Sequence, residues 1–210
     1  VAMFLCVTTL GRLQGGARMG RKQLTQHQMT ADEFYLWLES QNERYELVDG
    51  QPMLMAGATI AHDTFVINAA RVIGNQLFGK PCRPRSADIA IRVSDHQVRY
   101  PDLSVDCGDP ASSAREAGKP ALVIEVESRS TGMVDAIDKL EEYKSIPSMQ
   151  YIILVSTRKP RVRFYCRNES SAWDGQVIIG MESQLEMPLI GVTLSLGDLY
   201  YDLRFEAEPS

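Results

Sequence analysis

Residues 121–127, Ala-Leu-Val-Ile-Glu-Val-Glu, form an almost continuous apolar run that nevertheless contains two carboxylates. A short apolar run of this kind predicts a central β-strand that is covered on both faces. A second buried strand is predicted at Tyr151–Val155, and a charged helical pattern at Met133–Ser145 lies between the two. The order of these elements indicates a mixed α/β (α+β) domain.

Local signals predict the other elements. Thr30 and Glu33 match a capping box, so a helix should cover Ala31–Ser40. Asp49-Gly50 is a hairpin signal between two short strands. Periodicity, alternation and turn residues place the remaining elements: strands at Arg44–Val48 and Pro52–Ala56, a helix over 60–78, strands at 84–93, 101–106 and Val162–Tyr165, an edge hairpin over 176–187 and a short helix at Ser195–Tyr201.

The length and composition suit one domain with loose ends. The chain has 210 residues, of which 44% are hydrophobic, so it can bury one sizeable core. We expect residues 1–28 to be a disordered or flexible N-terminal extension, 29–203 to be a single domain, and 204–210 to be an acidic tail. No apolar run approaches the roughly 18 residues of a membrane span, so we expect no membrane partner.

The spacing of the cysteines excludes the common zinc motifs. Cys6, Cys82, Cys107 and Cys166 are all far apart in the sequence. The sequence therefore predicts free thiols in a reducing cytosol, and with them a cytoplasmic location.

Three carboxylates are expected to gather around two strands. Asp102 follows Pro101 at the head of one strand, and Glu125 and Glu127 point to the same face of the next, because strand side chains alternate. Carboxylates in an apolar strand are costly unless they are paired, protonated or bound to a cation. Converging carboxylate oxygens favour a hard cation, Mg²⁺ or Mn²⁺, which can polarise a phosphoryl oxygen and activate water.

The helix that follows can add a cation to this cluster. Asp135 and Lys139 are four residues apart and share one face, which Tyr143 continues. Lys139 can hold an attacking water or stabilise the charge of a phosphorane. Glu46 and His62 are further candidates for the same pocket.

Structural alternatives remain open for each of these residues. Asp102 can be a turn residue, and Glu125 can form a structural ion pair with Lys139. Glu127 is a third ligand, a partner of Lys139 or Arg129, or a solvated strand end. Lys139 can simply pair with Asp135 on the helix surface.

Basic residues offer weaker evidence for a nucleic-acid surface. The net charge of −5 does not favour nucleic-acid binding, although acidic helices can mask a local basic groove. Arg83, Arg85 and Arg99 flank the predicted site and are candidate phosphate contacts, together with Arg92. A second cluster contains Arg158, Lys159, Arg161, Arg163 and Arg167. Either cluster can instead serve solubility alone.

The order of these residues resembles the PD-(D/E)XK nuclease core and, more closely, the Uma family of restriction-endonuclease-like proteins. The resemblance covers roughly residues 29–167. The segments that carry it are Met29-Thr30, Glu33-Phe34, Tyr45–Gly50, His62, Pro101-Asp102, Glu125-Val126, Ser128, Ser130-Thr131, Asp135, Lys139, Tyr143 and Tyr151.

The resemblance implies a restriction-endonuclease-like central mixed sheet flanked by helices. It implies that Asp102 and Glu125 bind Mg²⁺ or Mn²⁺, with help from a main-chain carbonyl near Val126. Lys139 would replace the lysine that the nuclease pattern places two residues after the glutamate, and Glu46 would complete the acidic cluster. The implied activity is hydrolysis of phosphodiester bonds in DNA. Separately from the resemblance, exposed strand edges and the apolar C-terminal hairpin favour a homodimer.

Two residues depart from the pattern. Glu127 occupies the position of the usual lysine, and Ser156 replaces an acidic residue that relatives often carry. The alternative function is therefore a catalytically inactive module on the nuclease fold that binds nucleic acid or a protein partner.

Overall fold

The computed structural model describes residues 28–127 and 133–205, and the side chains of 133–136 are not described. The predicted extension falls outside this part except for Gln28, as do residues 206–210 of the predicted tail. The helices are α1 (Ala31–Leu38), α2 (Ile60–Leu77), α3 (Met133–Ser145) and α4 (Leu196–Leu199). The strands are β1 (Tyr45–Val48), β2 (Gln51–Leu54), β3 (Arg83–Ser86), β4 (Ile91–Ser94), β5 (Gln97–Arg99), β6 (Leu103–Asp106), β7 (Pro120–Val126), β8 (Tyr151–Ser156), β9 (Arg161–Arg167), β10 (Trp173–Ile179), β11 (Gln184–Met187) and β12 (Val192–Ser195).

The central element is a six-stranded sheet of order β10-β9-β8-β7-β6-β3. Strands β7 and β8 are parallel, and the other neighbours pair antiparallel. A four-stranded sheet of order β2-β1-β5-β4 and the β11-β12 hairpin lie beside it. The predicted mixed α+β fold with a central strand at 121–127 is confirmed.

Strand β7 is covered on both faces, as its apolar run predicts. Leu122 and Ile124 belong to a buried cluster that includes Phe65 and Ile73 of α2. Val123 belongs to a different cluster, on the opposite face, with side chains of α3. Because side chains alternate along a strand, Glu125 shares the face of Val123 and is directed towards α3.

Two local predictions near the N-terminus are confirmed. Thr30 and Glu33 form both hydrogen bonds of the capping box at the start of α1. Asp49 and Gly50 join β1 to β2 with φ values of 49° and 72°, the positive pair that a type I′ hairpin requires.

The strand predicted over 84–93 is wrong as one element. A turn after Ser86, closed by a hydrogen bond from the Ile89 amide to the Ser86 carbonyl, divides it. The first half becomes β3 of the six-stranded sheet, and the second becomes β4 of the four-stranded sheet. The alternating apolar residues Ile89, Ile91 and Val93 all follow the turn, so the pattern contains no information on which sheet the first half joins.

The hairpin predicted over 176–187 is also wrong. Strand β10 pairs with β9, and β11 pairs with β12, so the two segments lie in different sheets. Gly180, at φ 96°, lies in the connection between them.

The buried face of α2 differs from the predicted face by part of a turn. Ile60 and Ile67 belong to the apolar periodicity that predicts this helix, yet they are 87% and 59% exposed. Asn68 is buried instead, and its amide donates to the carbonyls of Leu199 and Tyr201. A polar side chain is favoured at this buried position because it satisfies the carbonyls at the end of α4 and just after it.

The prediction of four free thiols is wrong, because Cys82 and Cys107 form a disulfide. Cys82 precedes β3 and Cys107 follows β6, and the antiparallel pairing of these strands brings the two cysteines together. Cys166 is free. The cytoplasmic location loses this support and stays a prediction.

Among the described residues, no helix has the length and apolar character needed to cross a bilayer.

Candidate active site

The site lies at the carboxyl end of β7. Leu103 of β6 lies opposite Ile124 of β7, and continuation of this register places Asp102 opposite Glu125. The Val126 amide donates to Asp102 Oδ2 at 2.7 Å, which fixes the Asp102 carboxylate beside the strand end. The side chains of Asp102 and Glu125 are 20% and 16% exposed, so solvent and a ligand can still reach them.

Glu125 occupies an environment that resists ionisation. Burial is the main cause that raises its pKa to about 7, and the charges of Asp102 and Glu46 raise the pKa further. Lys139 and a 2.6 Å hydrogen bond from the Tyr143 hydroxyl to Glu125 Oε1 act in the opposite direction. A divalent cation would relieve the same repulsion that now favours a proton on this carboxyl.

His62 reaches Asp102 from the other face of the sheet. Thr59 caps α2 by accepting a hydrogen bond from the His62 amide, which places the imidazole in the first helical turn. His62 Nε2 lies 3.0 Å from Asp102 Oδ1. This hydrogen bond is the main cause that raises the pKa of His62, and burial partly opposes it. The predicted proximity of His62 to Asp102 is thus observed.

Lys139 connects two carboxylates. Its Nζ lies 3.2 Å from Glu46 Oε1 and 3.9 Å from Glu125 Oε2, and its side chain is 15% exposed. Helix α3 supplies the ammonium because it crosses the face of β7 that carries Glu125. The fold therefore brings together four predicted site residues and His62: Asp102, Glu125, Lys139 and Glu46.

Arg99 is not a nucleic-acid contact, because it is only 2% exposed. Its Nη1 donates to Glu46 Oε2 at 2.9 Å, and its Nε and Nη2 donate to the two oxygens of Glu142, both at 2.7 Å. Gln97 also donates to Glu142, at 2.6 Å. The guanidinium thus holds Glu46 through Oε2, while Lys139 contacts the other oxygen, Oε1.

Sequence reasoning missed Glu142 and Gln97. Glu142 follows Lys139 by three residues, so the helical spacing that related Asp135 to Lys139 also places Glu142 near that face. Gln97 carried no comparable signal, because its role depends on the packing of β5 against α3. The side chain of Asp135 and all of Arg129 lie outside the described residues.

Glu127 pairs with Arg163 of β9, a partner that was not predicted. Arg163 lies opposite Leu154 of β8, which in turn lies opposite Glu125 of β7. The guanidinium is therefore on the same face of the sheet as both carboxylates, and it neutralises the acid in the position of the usual nuclease lysine.

Arg83 and Arg85 lie on β3, the edge strand of the six-stranded sheet. Arg83 is opposite Asp106, at the end of β6 remote from Asp102. The Arg85 guanidinium is 3.9 Å from Asp106 Oδ2 and so is directed away from the candidate site. Their predicted role in nucleic-acid binding stays untested, but neither side chain adjoins the carboxylates.

The donor set fits a hydrated divalent cation held by two carboxylates. In residues 28–127 and 133–205, no three His, Cys, Asp or Glu side chains converge as metal ligands. Mg²⁺ typically needs only one or two protein carboxylates and completes its shell with water and substrate phosphate. Asp102 and Glu125 meet that requirement, and their mutual repulsion favours a cation between them.

Comparison with known proteins identifies the family. Residues 31–197 match the model of the Uma2 family, which is described as "Putative restriction endonuclease". The chain belongs to the Uma2 family. The resemblance predicted from Asp102, Glu125 and Lys139 is confirmed at this level.

Two curated relatives of this Uma2 protein come from a Synechocystis species. One uncharacterized protein is 30% identical over 182 residues, which cover 84% of this chain and 94% of the relative. A second uncharacterized protein is 23% identical over 168 residues, or 78% of this chain and 95% of the relative. The chain thus spans nearly the whole length of both.

A solved structure shares the fold. The crystal structure of a "putative nuclease belonging to DUF820" from Anabaena variabilis matches with a TM-score of 0.67 and 20% identity. The match covers 82% of this chain and 97% of that chain. It confirms the predicted nuclease-like fold.

Proposed function

We propose that this Uma2 protein is a metal-dependent endonuclease that hydrolyses phosphodiester bonds in DNA. The observation that carries the proposal is the position of Lys139, whose ammonium lies 3.9 Å from Glu125 Oε2. Glu125 is on β7, next to the Val126 amide that donates to Asp102. Two carboxylates and one ammonium from three separate elements meet at a partly exposed strand end. This is the donor set that phosphodiester hydrolysis needs.

Asp102 and Glu125 would hold Mg²⁺ or Mn²⁺. Such a cation polarises the phosphoryl oxygen and lowers the pKa of a bound water. The Val126 amide and the Tyr143 hydroxyl orient the two carboxylates before any ligand arrives. This arrangement reduces the reorganisation that metal binding would otherwise require.

Lys139 would act on the substrate. Its charged Nζ can donate to the attacking water or to the phosphoryl oxygens as negative charge develops on them. Glu46 keeps the ammonium near Glu125, and Arg99 keeps Glu46 in place. His62 contacts Asp102 and would orient that carboxylate.

Cleavage of plasmid DNA in Mg²⁺ or Mn²⁺ tests the proposal. Asp102→Asn, Glu125→Gln and Lys139→Met should each lower the cleavage rate by at least about a hundredfold, as loss of a group that stabilises transition-state charge does. Lys144→Met is the matched control for Lys139, because Lys144 lies on the same helix and pairs with Glu141. The control should cleave at the wild-type rate.

Calorimetric titration with Mg²⁺ gives an independent measurement. Binding should be detected in the wild type and lost in Glu125→Gln. Equal nicking by the wild type and by Asp102→Asn would show that the cleavage does not depend on the proposed site, and the proposal would then be wrong.

One observation favours the inactive alternative. Lys139 already contacts two carboxylates, and Glu127 occupies the usual lysine position as the partner of Arg163. If these pairs persist when DNA is bound, the chain is a module that binds nucleic acid or a protein partner without cleaving it. DNA binding without cleavage and without Mg²⁺ binding would support this alternative.

Strand β10 supports the proposal of a homodimer. It is an edge strand of the six-stranded sheet, and its Val177 and Ile179 are 56% and 64% exposed. An exposed apolar edge strand is suited to pairing with a second copy. Sedimentation of the wild type and of Val177→Lys would measure the dimer and its loss.

A further inference from the structure

Half of the twelve arginines in the described part of the chain are paired with a carboxylate. Six of them lie within 4 Å of an acidic side chain: Arg44, Arg85, Arg92, Arg99, Arg115 and Arg163. By contrast, Arg158, Lys159 and Arg161 form no ion pair with any described residue. Three neighbouring cations therefore remain available to an external anion in a chain whose net charge is −5.

Arg158 and Lys159 lie in the turn that joins β8 to β9, and Arg161 is the first residue of β9. Residues 157–161 are here called the basic turn. Because β7 and β8 are parallel, their carboxyl ends lie at the same edge of the sheet. The Glu127 amide donates to the Val155 carbonyl at 2.8 Å, so β8 enters the basic turn beside the candidate site. Arg158 and Lys159 are exposed there.

The basic turn is held in one conformation by the core. The buried Tyr200 hydroxyl lies 2.8 Å from the Ser156 carbonyl and 2.9 Å from the Arg161 carbonyl, so one side chain joins both ends of the turn. The Gly180 amide also donates to the Pro160 carbonyl at 3.0 Å. Since the backbone is already ordered, little conformational entropy is lost when the turn binds a ligand.

We infer that the basic turn is the surface that binds the phosphate backbone of duplex DNA beside the scissile bond. Arg158 and Lys159 would contact phosphates that flank the one at Asp102 and Glu125. The choice of DNA as the ligand rests on the proposed function. The basic turn takes the place of the phosphate contacts predicted from the sequence, because Arg99 is buried and Arg83 lies at the opposite end of the sheet. Phosphate contacts of this kind position a duplex without reading its sequence.

The test is the affinity of the full chain for a fluorescent duplex, measured by anisotropy without divalent metal. Arg158→Glu with Lys159→Glu should weaken binding by about tenfold or more at low salt. It should also reduce the slope of log K against log salt by roughly two, since each phosphate contact contributes about 0.9.

A matched control places the same change of charge at the other end of the sheet. Arg83→Glu with Lys119→Glu reverses two exposed cations about 20 Å away, the length of a seven-residue strand. This control should keep the wild-type affinity within about threefold and should keep the salt slope. Neutral variants, Arg158→Gln with Lys159→Gln, should fall between the wild type and the charge reversal.

Three outcomes would overturn the inference. Equal losses in the two reversed variants would show an effect of net charge alone. Retained binding in the basic-turn variant would place the DNA elsewhere, and absence of duplex binding by the wild type would exclude this ligand. Because cleavage is not the readout, these results are separate from the fate of the proposed catalytic site. Cleavage that disappears in Asp102→Asn would uphold the nuclease even if the turn does not bind DNA.

Discussion

Replacing Arg99 by methionine should lower the free energy of unfolding more than the same replacement of an exposed arginine. The Arg99 side chain is 3% exposed, and its partners Glu46 and Glu142 are 9% and 20% exposed. Methionine preserves much of the side-chain volume, but it leaves Glu142 without its cation and leaves Glu46 with Lys139 alone. Loss of one partner from a buried ion pair costs about 3–5 kcal/mol.

The assays are urea unfolding, which gives the free energy of unfolding, and thermal unfolding, which gives Tm, both followed by circular dichroism at pH 7. For a domain of this size, each kcal/mol corresponds to a shift of about 2–4 °C in Tm, so the melting temperature should fall by about 6–20 °C. Arg115→Met is the matched control, since Arg115 and its partner Glu39 are both more than half exposed. The control should lose less than about 1 kcal/mol.

A second substitution separates the ion pair from simple loss of packing. Glu142→Gln introduced together with Arg99→Met removes the charge that has lost its cation. The double variant should therefore be more stable than Arg99→Met alone. A loss of less than about 1 kcal/mol in Arg99→Met would refute the reasoning. A loss of DNA affinity with unchanged stability would instead support the surface role that the sequence predicted for Arg99.

Three further predictions concern ionisation and the disulfide. Burial raises the pKa of Glu125 from 4.5 to about 7, so its contribution to the free energy of unfolding is fully present below pH 4.5 and is lost as the pH rises through 7. In Glu125→Gln the free energy of unfolding should therefore vary with pH by about 3 kcal/mol less than in the wild type, and an unchanged pH dependence would contradict the prediction. The raised pKa of His62 contributes stability below pH 6.5 that is lost as the pH rises through the folded value; in Asp102→Asn, NMR titration of the imidazole should show a lower pKa, whereas an unmoved pKa would contradict the hydrogen bond. Replacing Cys82 and Cys107 by alanine should cost about 3 kcal/mol, because the bond joins residues 25 apart in the sequence; thiol titration of the denatured wild type should count two more thiols after reduction than before it, and equal counts would contradict the disulfide.

The Uma2 family and most of the candidate site could be predicted because their signals are local or depend only on the order of residues along the chain. The alternation of side chains along β7 places Glu125 on the same face as Val123, and helical spacing places Lys139 one turn from Asp135. Turn chemistry at Asp49-Gly50 was sufficient for the first hairpin, since both residues tolerate positive φ. Each of these signals acts within a few residues.

The assignments that failed depended on partners distant in the sequence. The apolar alternation within 84–93 is confined to Ile89, Ile91 and Val93, so only packing shows that the segment is divided between β3 and β4. Cys82 and Cys107 are 25 residues apart, and the pairing of β3 with β6 decides that they meet. Glu127 likewise obtains Arg163 as its partner through two strand pairings that no local pattern encodes.

The sequence by itself determined which residue types were available for chemistry: Asp102, Glu125 and Lys139, in a fixed order along the chain. The tertiary structure decided which cations remain available for a ligand. An arginine in a strand reads the same in the sequence whether it is exposed or buried. Arg99 is buried because β1 supplies Glu46 and α3 supplies Glu142 on either side of its guanidinium. Arg158, just after the end of β8, is exposed to solvent. The physical reason is that the free energy of a charge depends on its solvation and neighbours, which are properties of the fold.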